Sequence, residues 1–113
     1  MKRVTMLFCI AAMLFCAVSA YASAPYRAEL PDGEALVTDA GVFVVEPGTY
    51  QDILVIEPGK IYLVGTAGNY RIIDRNGKDI SDIEVSMARY DDDMIFFGKD
   101  GLYGAMDIQG NIE

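Results

Sequence analysis

The stretch Tyr90-Asp91-Asp92-Asp93 sets three carboxylates side by side ahead of an apolar run, and Asp74-Arg75-Asn76-Gly77-Lys78-Asp79 brackets a glycine with two more. Carboxylates grouped in this way suggest calcium ligation, or the acid–base pair of a glycosidase. Calcium takes about six to eight oxygens from loops that space their acids alternately around a bend. Three adjacent acids splay in different directions, and Gly77 falls too early for such a loop. Asp91–Asp93 therefore reads as a solvated turn, and Asn76-Gly77 as the corner of a β-turn. A glycosidase pair needs a cleft in a larger scaffold than this chain provides. Histidine is absent, and the two cysteines, Cys9 and Cys16, lie at the N-terminus. No Ser–His or Cys–His nucleophile is available, and neither is a thiol or imidazole zinc site. The expectation is a non-enzymatic protein with no cofactor and no metal.

Aromatic side chains offer a different chemistry. Tyr50, Tyr62, Tyr70, Tyr90 and Tyr103, with Phe43, Phe96 and Phe97, form a candidate face for stacking on sugar rings or peptides. Small β-proteins also use such residues for burial, with alternate members facing the core and their hydroxyls at the rim.

The elements that must position these residues begin after a leader. Lys2 and Arg3 precede a continuous apolar stretch from Met6 to Val18, and small residues follow at the spacing that signal peptidase reads. Cleavage is expected after Ala22, with Ala20 and Ala24 as alternatives; Pro25 disfavours the last. The alternative of a retained membrane anchor meets an apolar core shorter than the roughly 20 residues that span a bilayer. Cleavage removes both cysteines, so packing and hydrogen bonds rather than disulfides must hold the exported chain. Losing Lys2 and Arg3 also moves the net charge from −8 to −10. Such a surface repels nucleic acid and anionic lipid, and neither is an expected partner.

Residues 23–33 read as an extended lead-in and residues 34–113 as one small domain. Within it, short apolar runs alternate with Gly, Pro, Asp and Asn, which predicts strands at Ala35–Thr38, Val42–Glu46, Ile53–Ile56, Lys60–Val64, Tyr70–Asp74, Ile83–Ser86, Met94–Phe97 and Leu102–Asp107. No segment after the leader argues for a helix. The fold class is all-β, an antiparallel meander of short hairpins behind a helical signal peptide.

Shifting the chain by 33 positions lays Ile61-to-Gly77 over Met94-to-Gly110. Five identities coincide: Gly65/Gly98, Gly68/Gly101, Tyr70/Tyr103, Asp74/Asp107 and Gly77/Gly110. Chance gives roughly one at ordinary residue frequencies. These are repeat units, 61–77 and 94–110. Upstream the pattern weakens: Val37-to-Val45 resembles it only after gaps, and Glu46-Pro47-Gly48 recurs as Glu57-Pro58-Gly59.

The phrase from Phe97 to Asn111, FGKDGLYGAMDIQGN, resembles the WG (KWG) repeat of bacterial proteins. Tyr90-Asp91-Asp92 matches the opening of that repeat, Lys99-Asp100-Gly101 its turn, Asp107 its acid and Gly110-Asn111 its closing turn. Tyr103-Gly104 stands for the signature Trp-Gly. The preceding unit matches through Gly68, Tyr70, Ile72-Ile73-Asp74 and Asn76-Gly77-Lys78. Tyrosine replaces tryptophan in both units and Arg71 replaces the following glycine in the first, so the chain resembles a degenerate or truncated member, and a fragment of a longer repeat array is one expectation. The resemblance implies a β-hairpin repeat module used for binding or scaffolding, with no catalytic residues to carry over. The expected partners are a protein, or another copy through unpaired sheet edges such as Leu102–Asp107. The alternative is a glycan or cell-wall ligand stacked on exposed tyrosines.

Overall fold

Turn chemistry dictates the fold. Asp92 and Asp93 have φ of 51° and 62°, and Asp100 and Gly101 have 51° and 81°. Positive φ at both central residues gives the turn whose twist matches a two-residue hairpin, and aspartate tolerates it better than bulkier side chains. Asp91 pairs directly with Met94 across this turn, so the acid triplet is a hairpin corner.

The computed structural model describes residues 24–113. Among them the chain is all-β, without a helix. Ten antiparallel strands run as β1 Tyr26–Leu30, β2 Gly33–Val37, β3 Phe43–Val45, β4 Asp52–Glu57, β5 Ile61–Thr66, β6 Asn69–Ile73, β7 Asp79–Val85, β8 Met87–Asp91, β9 Met94–Lys99 and β10 Leu102–Asp107. They form three sheets, ordered β1-β2-β3, β4-β5-β6-β7 and β10-β9-β8. The leader expected at residues 1–22 lies outside the described residues.

Two strands depart from expectation. Within the segment expected as an extended lead-in, Tyr26–Leu30 forms β1, which pairs along its whole length with β2, from Tyr26↔Val37 to Leu30↔Gly33. The segment Met87–Asp91 is also a strand, although its mixed composition gave no strand signal. It is continuous with β7 except for a bend at Ser86, whose backbone N–H and hydroxyl both donate to the Gly98 carbonyl, at 2.8 and 2.9 Å. One stretch of chain thus leaves the second sheet and enters the third.

The same ladder occurs three times. Tyr26↔Val37 through Leu30↔Gly33 becomes Tyr62↔Ile73 through Thr66↔Asn69 on adding 36. Adding a further 33 gives Ile95↔Met106 through Lys99↔Leu102. Closing turns follow the same offsets. Asp74 accepts at Oδ1 from the N–H groups of Asn76 and Lys78 (2.8 and 3.0 Å), and Asp107 accepts from Gln109 and Asn111 (3.0 and 2.9 Å). Thr38 takes the place of the aspartate in the first copy, its hydroxyl accepting from the Val42 N–H at 3.2 Å. Each turn then leads to one equivalent pairing: Val37↔Phe43, Ile73↔Asp79 and Met106↔Ile112.

The sheets stack, and two apolar layers hold them. Leu36 and Val45 of the first sheet meet Ile53, Tyr62, Val64 and Ile73 of the second. The opposite face of the second sheet, with Ile61, Leu63, Tyr70, Ile72 and Val85, meets Ile95 and Met106 of the third. Each such side chain contributes about 1.5–3 kcal/mol through burial. In β5 the consecutive residues Ile61, Tyr62, Leu63 and Val64 are all buried, because this central sheet is covered on both faces.

Candidate docking surface

The outward face of the third sheet is built from three cross-strand rows. Registers place Met87, Gly98 and Tyr103 in one row, Arg89, Phe96 and Ala105 in the next, and Asp91, Met94 and Asp107 in the third. Directly opposed residues point to the same face of a sheet. Ile95 and Met106, in the alternate positions, point the other way into the core.

An open groove of about 260 Å³ is lined by Met87, Arg89, Phe96 and Tyr103 of the first two rows, together with Phe97 and Gly104 of the row between them. Gly98 is its floor. A Cβ at that position would lie 3.1 Å from Met87 Cγ and 3.2 Å from Tyr103 Cε1, so these side chains close over the glycine from both sides. The Arg89 guanidinium stands 4.7 Å from the centre of the Phe96 ring, a cation–π contact that holds the cation beside the groove. Arg89 also reaches Asp91 at 3.9 Å. The surface thus combines flat apolar area with one oriented cation.

The five tyrosines do not share a face. Tyr62 is 0% exposed, and its hydroxyl donates to the Pro25 carbonyl while accepting from the Gly59 N–H, both at 2.7 Å. Tyr70 is 8% exposed and belongs to the core between the second and third sheets. A binding surface that uses these two is therefore corrected: both are packing residues. Tyr50 is half-buried against the other layer. Tyr90 packs on the core, and its hydroxyl donates to Asp93 Oδ1 at 2.6 Å and accepts from Lys60 Nζ at 3.0 Å. That chain of bonds ties the β4–β5 turn to the β8–β9 turn. The Tyr90 hydroxyl, helped by Lys60, holds the Asp93 carboxyl below its ordinary range, and bonding to Tyr90 raises Lys60. Only Tyr103, at 80% exposure, is free to meet a ligand.

Tyr70 and Tyr103 occupy the same place in their ladders, opposite Gly65 and Gly98. Their exposures differ because of what lies beside and above them. Tyr70 pairs with Val85 of β7 and is covered by the third sheet. Beyond β10 the described residues supply no further strand, but the Met106↔Ile112 bridge and backbone bonds that include the Glu113 N–H to the Ala105 carbonyl at 2.9 Å. Met87 and Arg89, the residues that sequence reasoning missed, entered the groove with β8. Their only signal was the alternation Met87-x-Arg89-x-Asp91.

Among the described residues no cluster of three or more carboxylates converges as metal donors would. Compared with known proteins, the chain matches no family model, no curated sequence and no solved structure.

Proposed function

We propose that this chain is an exported, non-enzymatic β-repeat module for protein interaction or scaffolding, with the outer face of the third sheet as its docking surface. Export rests on the leader pattern of Lys2, Arg3 and the apolar stretch from Met6 to Val18. The repeat reading, with a period of about 33 and a resemblance to WG repeats, draws support from ladders that superpose at that offset. Repeats of this kind cover one another's apolar faces, and among the described residues no further sheet covers the outer face of the third.

One observation carries the proposal: Tyr103 is 80% exposed where its counterpart Tyr70 is 8% exposed. An aromatic, a methionine and an arginine on one flat surface are the residue types that anchor protein interfaces. The test is a photo-crosslinking amino acid at position 103, with a matched probe at the exposed position Thr66, in cells that export the chain. Adducts to a protein at 103 and not at 66 are expected. Equal labelling at both positions, or none at 103, overturns the reading.

A second reading has one observation in its favour. The exposed Tyr103 ring lies beside Met87 and the oriented Arg89, as a sugar-stacking platform requires. Cell-wall pull-down that disappears in Tyr103→Ala, without protein adducts at 103, would select it.

A further inference from the structure

We infer that the outer face of the third sheet and the outer face of the first sheet are two halves of one interface, through which copies of this chain stack head to tail. This deepens the docking-module reading and rests on it, naming the partner as a second copy of the same chain.

The interface is already made twice within the molecule. The first sheet lays Leu36 and Val45 on the face of the second that carries Tyr62, Val64 and Ile73. The second sheet in turn lays Ile61, Leu63, Tyr70 and Ile72 on the face of the third that carries Ile95 and Met106. By the ladder offsets, Met94, Phe96, Tyr103 and Ala105 are the counterparts of Ile61, Leu63, Tyr70 and Ile72. They form a third copy of the donor face.

The matching acceptor face is at the other end of the stack. Tyr26, Ala28 and Val37 are the counterparts of Tyr62, Val64 and Ile73, and Phe43 stands in the Val37 row. Strand alternation turns them away from the second sheet. Tyr26 is 48% and Phe43 41% exposed on either side of Val37, which is 8% exposed beside the fully buried Ala35, whereas Tyr62, in the place equivalent to Tyr26, is fully buried. One end of the chain therefore offers what the other end accepts.

The turns repeat the same contact. A Cβ on Gly77 would lie 3.1 Å from the Val44 carbonyl oxygen, and one on Gly110 would run into that of Ile80. Each turn is thus seated on the return strand of the preceding sheet, and Val44 and Ile80 are themselves related by the 36-residue offset. Gly41, in the first turn, meets nothing within 4 Å. The further 33-residue offset carries Ile80 to Glu113. Stacking of a second copy places its Gly41 turn over Glu113 of the first.

Such an interface is heterologous, so it propagates into an open array instead of closing as a symmetric dimer. The net charge of −10 after leader removal opposes it over long range, so added salt strengthens it.

The test uses the full chain expressed with its leader and purified after processing, followed by sedimentation over a concentration series. Wild type is expected to grow past the dimer as concentration rises. Tyr103→Asp and Tyr26→Asp each spoil one half of the interface and associate at least about tenfold more weakly, as expected for interface anchors. An equimolar mixture of the two still has one intact half on each chain, and it forms dimers and stops there. A strictly monomeric wild type, a mixture that stays monomeric, or a Tyr26→Asp chain that assembles as wild type overturns the inference. If either aspartate variant melts early, Met87→Ser and Phe43→Ser on the same two faces replace the pair. A monomer that still crosslinks to a different protein at position 103 overturns head-to-tail stacking and leaves the docking-module reading standing.

Discussion

Replacing Tyr62 with phenylalanine removes one oxygen from the molecule, and the loss can be worked from its two bonds. The hydroxyl is fully buried, donates to the Pro25 carbonyl and accepts from the Gly59 N–H, both at 2.7 Å. Phenylalanine fills the same ring volume, so no large cavity is made. The Pro25 carbonyl, inside the layer between the first and second sheets, then has no replacement donor. Leaving a buried polar group unpaired costs about 1–3 kcal/mol. The Gly59 N–H is only partly buried, so water recovers some of its share. The expected loss is about 2–3 kcal/mol, a large fraction of the roughly 5–15 kcal/mol that a small domain has in total. At about 4–8 °C per kcal/mol for a domain of this size, Tyr62→Phe melts some 10–20 °C below wild type. Tyr103→Phe, which removes an exposed hydroxyl, should move the midpoint by no more than about 2 °C, since surface changes stay within about 0.5 kcal/mol. Urea unfolding of the three proteins gives the comparison. A Tyr62→Phe stability within 0.5 kcal/mol of wild type would refute the claim that this hydroxyl pins Pro25 to the second sheet.

Gly110→Ala and Gly41→Ala share a positive-φ cost of about 1–2 kcal/mol, but only Gly110 has a carbonyl oxygen, that of Ile80, in the way of the added methyl. The first should destabilise at least twice as much as the second in thermal melts, and equal costs would remove the seating of turns on neighbouring strands. Asp107 is held below its ordinary pKa by the Asn111 N–H and side chain, then by the Gln109 and Gly110 N–H groups. A depressed folded pKa means that its contribution is complete above the unfolded value of about 3.9 and is lost as pH falls through the folded one. Asp107→Asn should therefore lower stability at pH 7 and converge on wild type as pH falls through the folded value; a constant difference across the acid range would contradict the assignment. Native-state hydrogen exchange should show the greatest protection in β5 and β6, which lie between two apolar layers, and the least in β1 and β10. Uniform protection would instead indicate one cooperative unit without layered stability.

Eight of the ten strands were legible because turn residues punctuate them and their apolar positions face a layer. The two that were not, β1 (Tyr-Arg-Ala-Glu-Leu) and β8 (Met-Ala-Arg-Tyr-Asp), carry charged residues within short segments and leave most of one face exposed. Their strand character comes from the partner beside them. The repeat was readable where the offset is 33 and Gly, Tyr and Asp recur at turn and strand ends. It faded where the offset becomes 36, because three extra residues lie between Phe43 and Ile61 and Thr38 replaces the turn aspartate. The backbone pattern survives that change, since a threonine hydroxyl can accept a bond that the carboxylate accepts elsewhere. The candidate docking face was half legible: Tyr103 and Phe96 stood out as aromatics, whereas Met87 and Arg89 depended on the missed strand.

No local reading separates Tyr70 from Tyr103, because their ladder positions are the same. Tyr70 lies opposite Gly65 with Ile72 two residues on, and Tyr103 lies opposite Gly98 with Ala105 two residues on. Propensity, alternation and turn type treat them alike. Burial in a stack is set by the next layer, and the next layer is a property of order along the stack rather than of the strand. The same holds at the other end, where Tyr26 is half-exposed in the position that buries Tyr62 completely. A residue type suited to the core at one place becomes a contact residue at another with no change in its own strand. Among the described residues, the exposed aromatics on the outer faces of the first and third sheets therefore occupy core positions without a neighbouring layer.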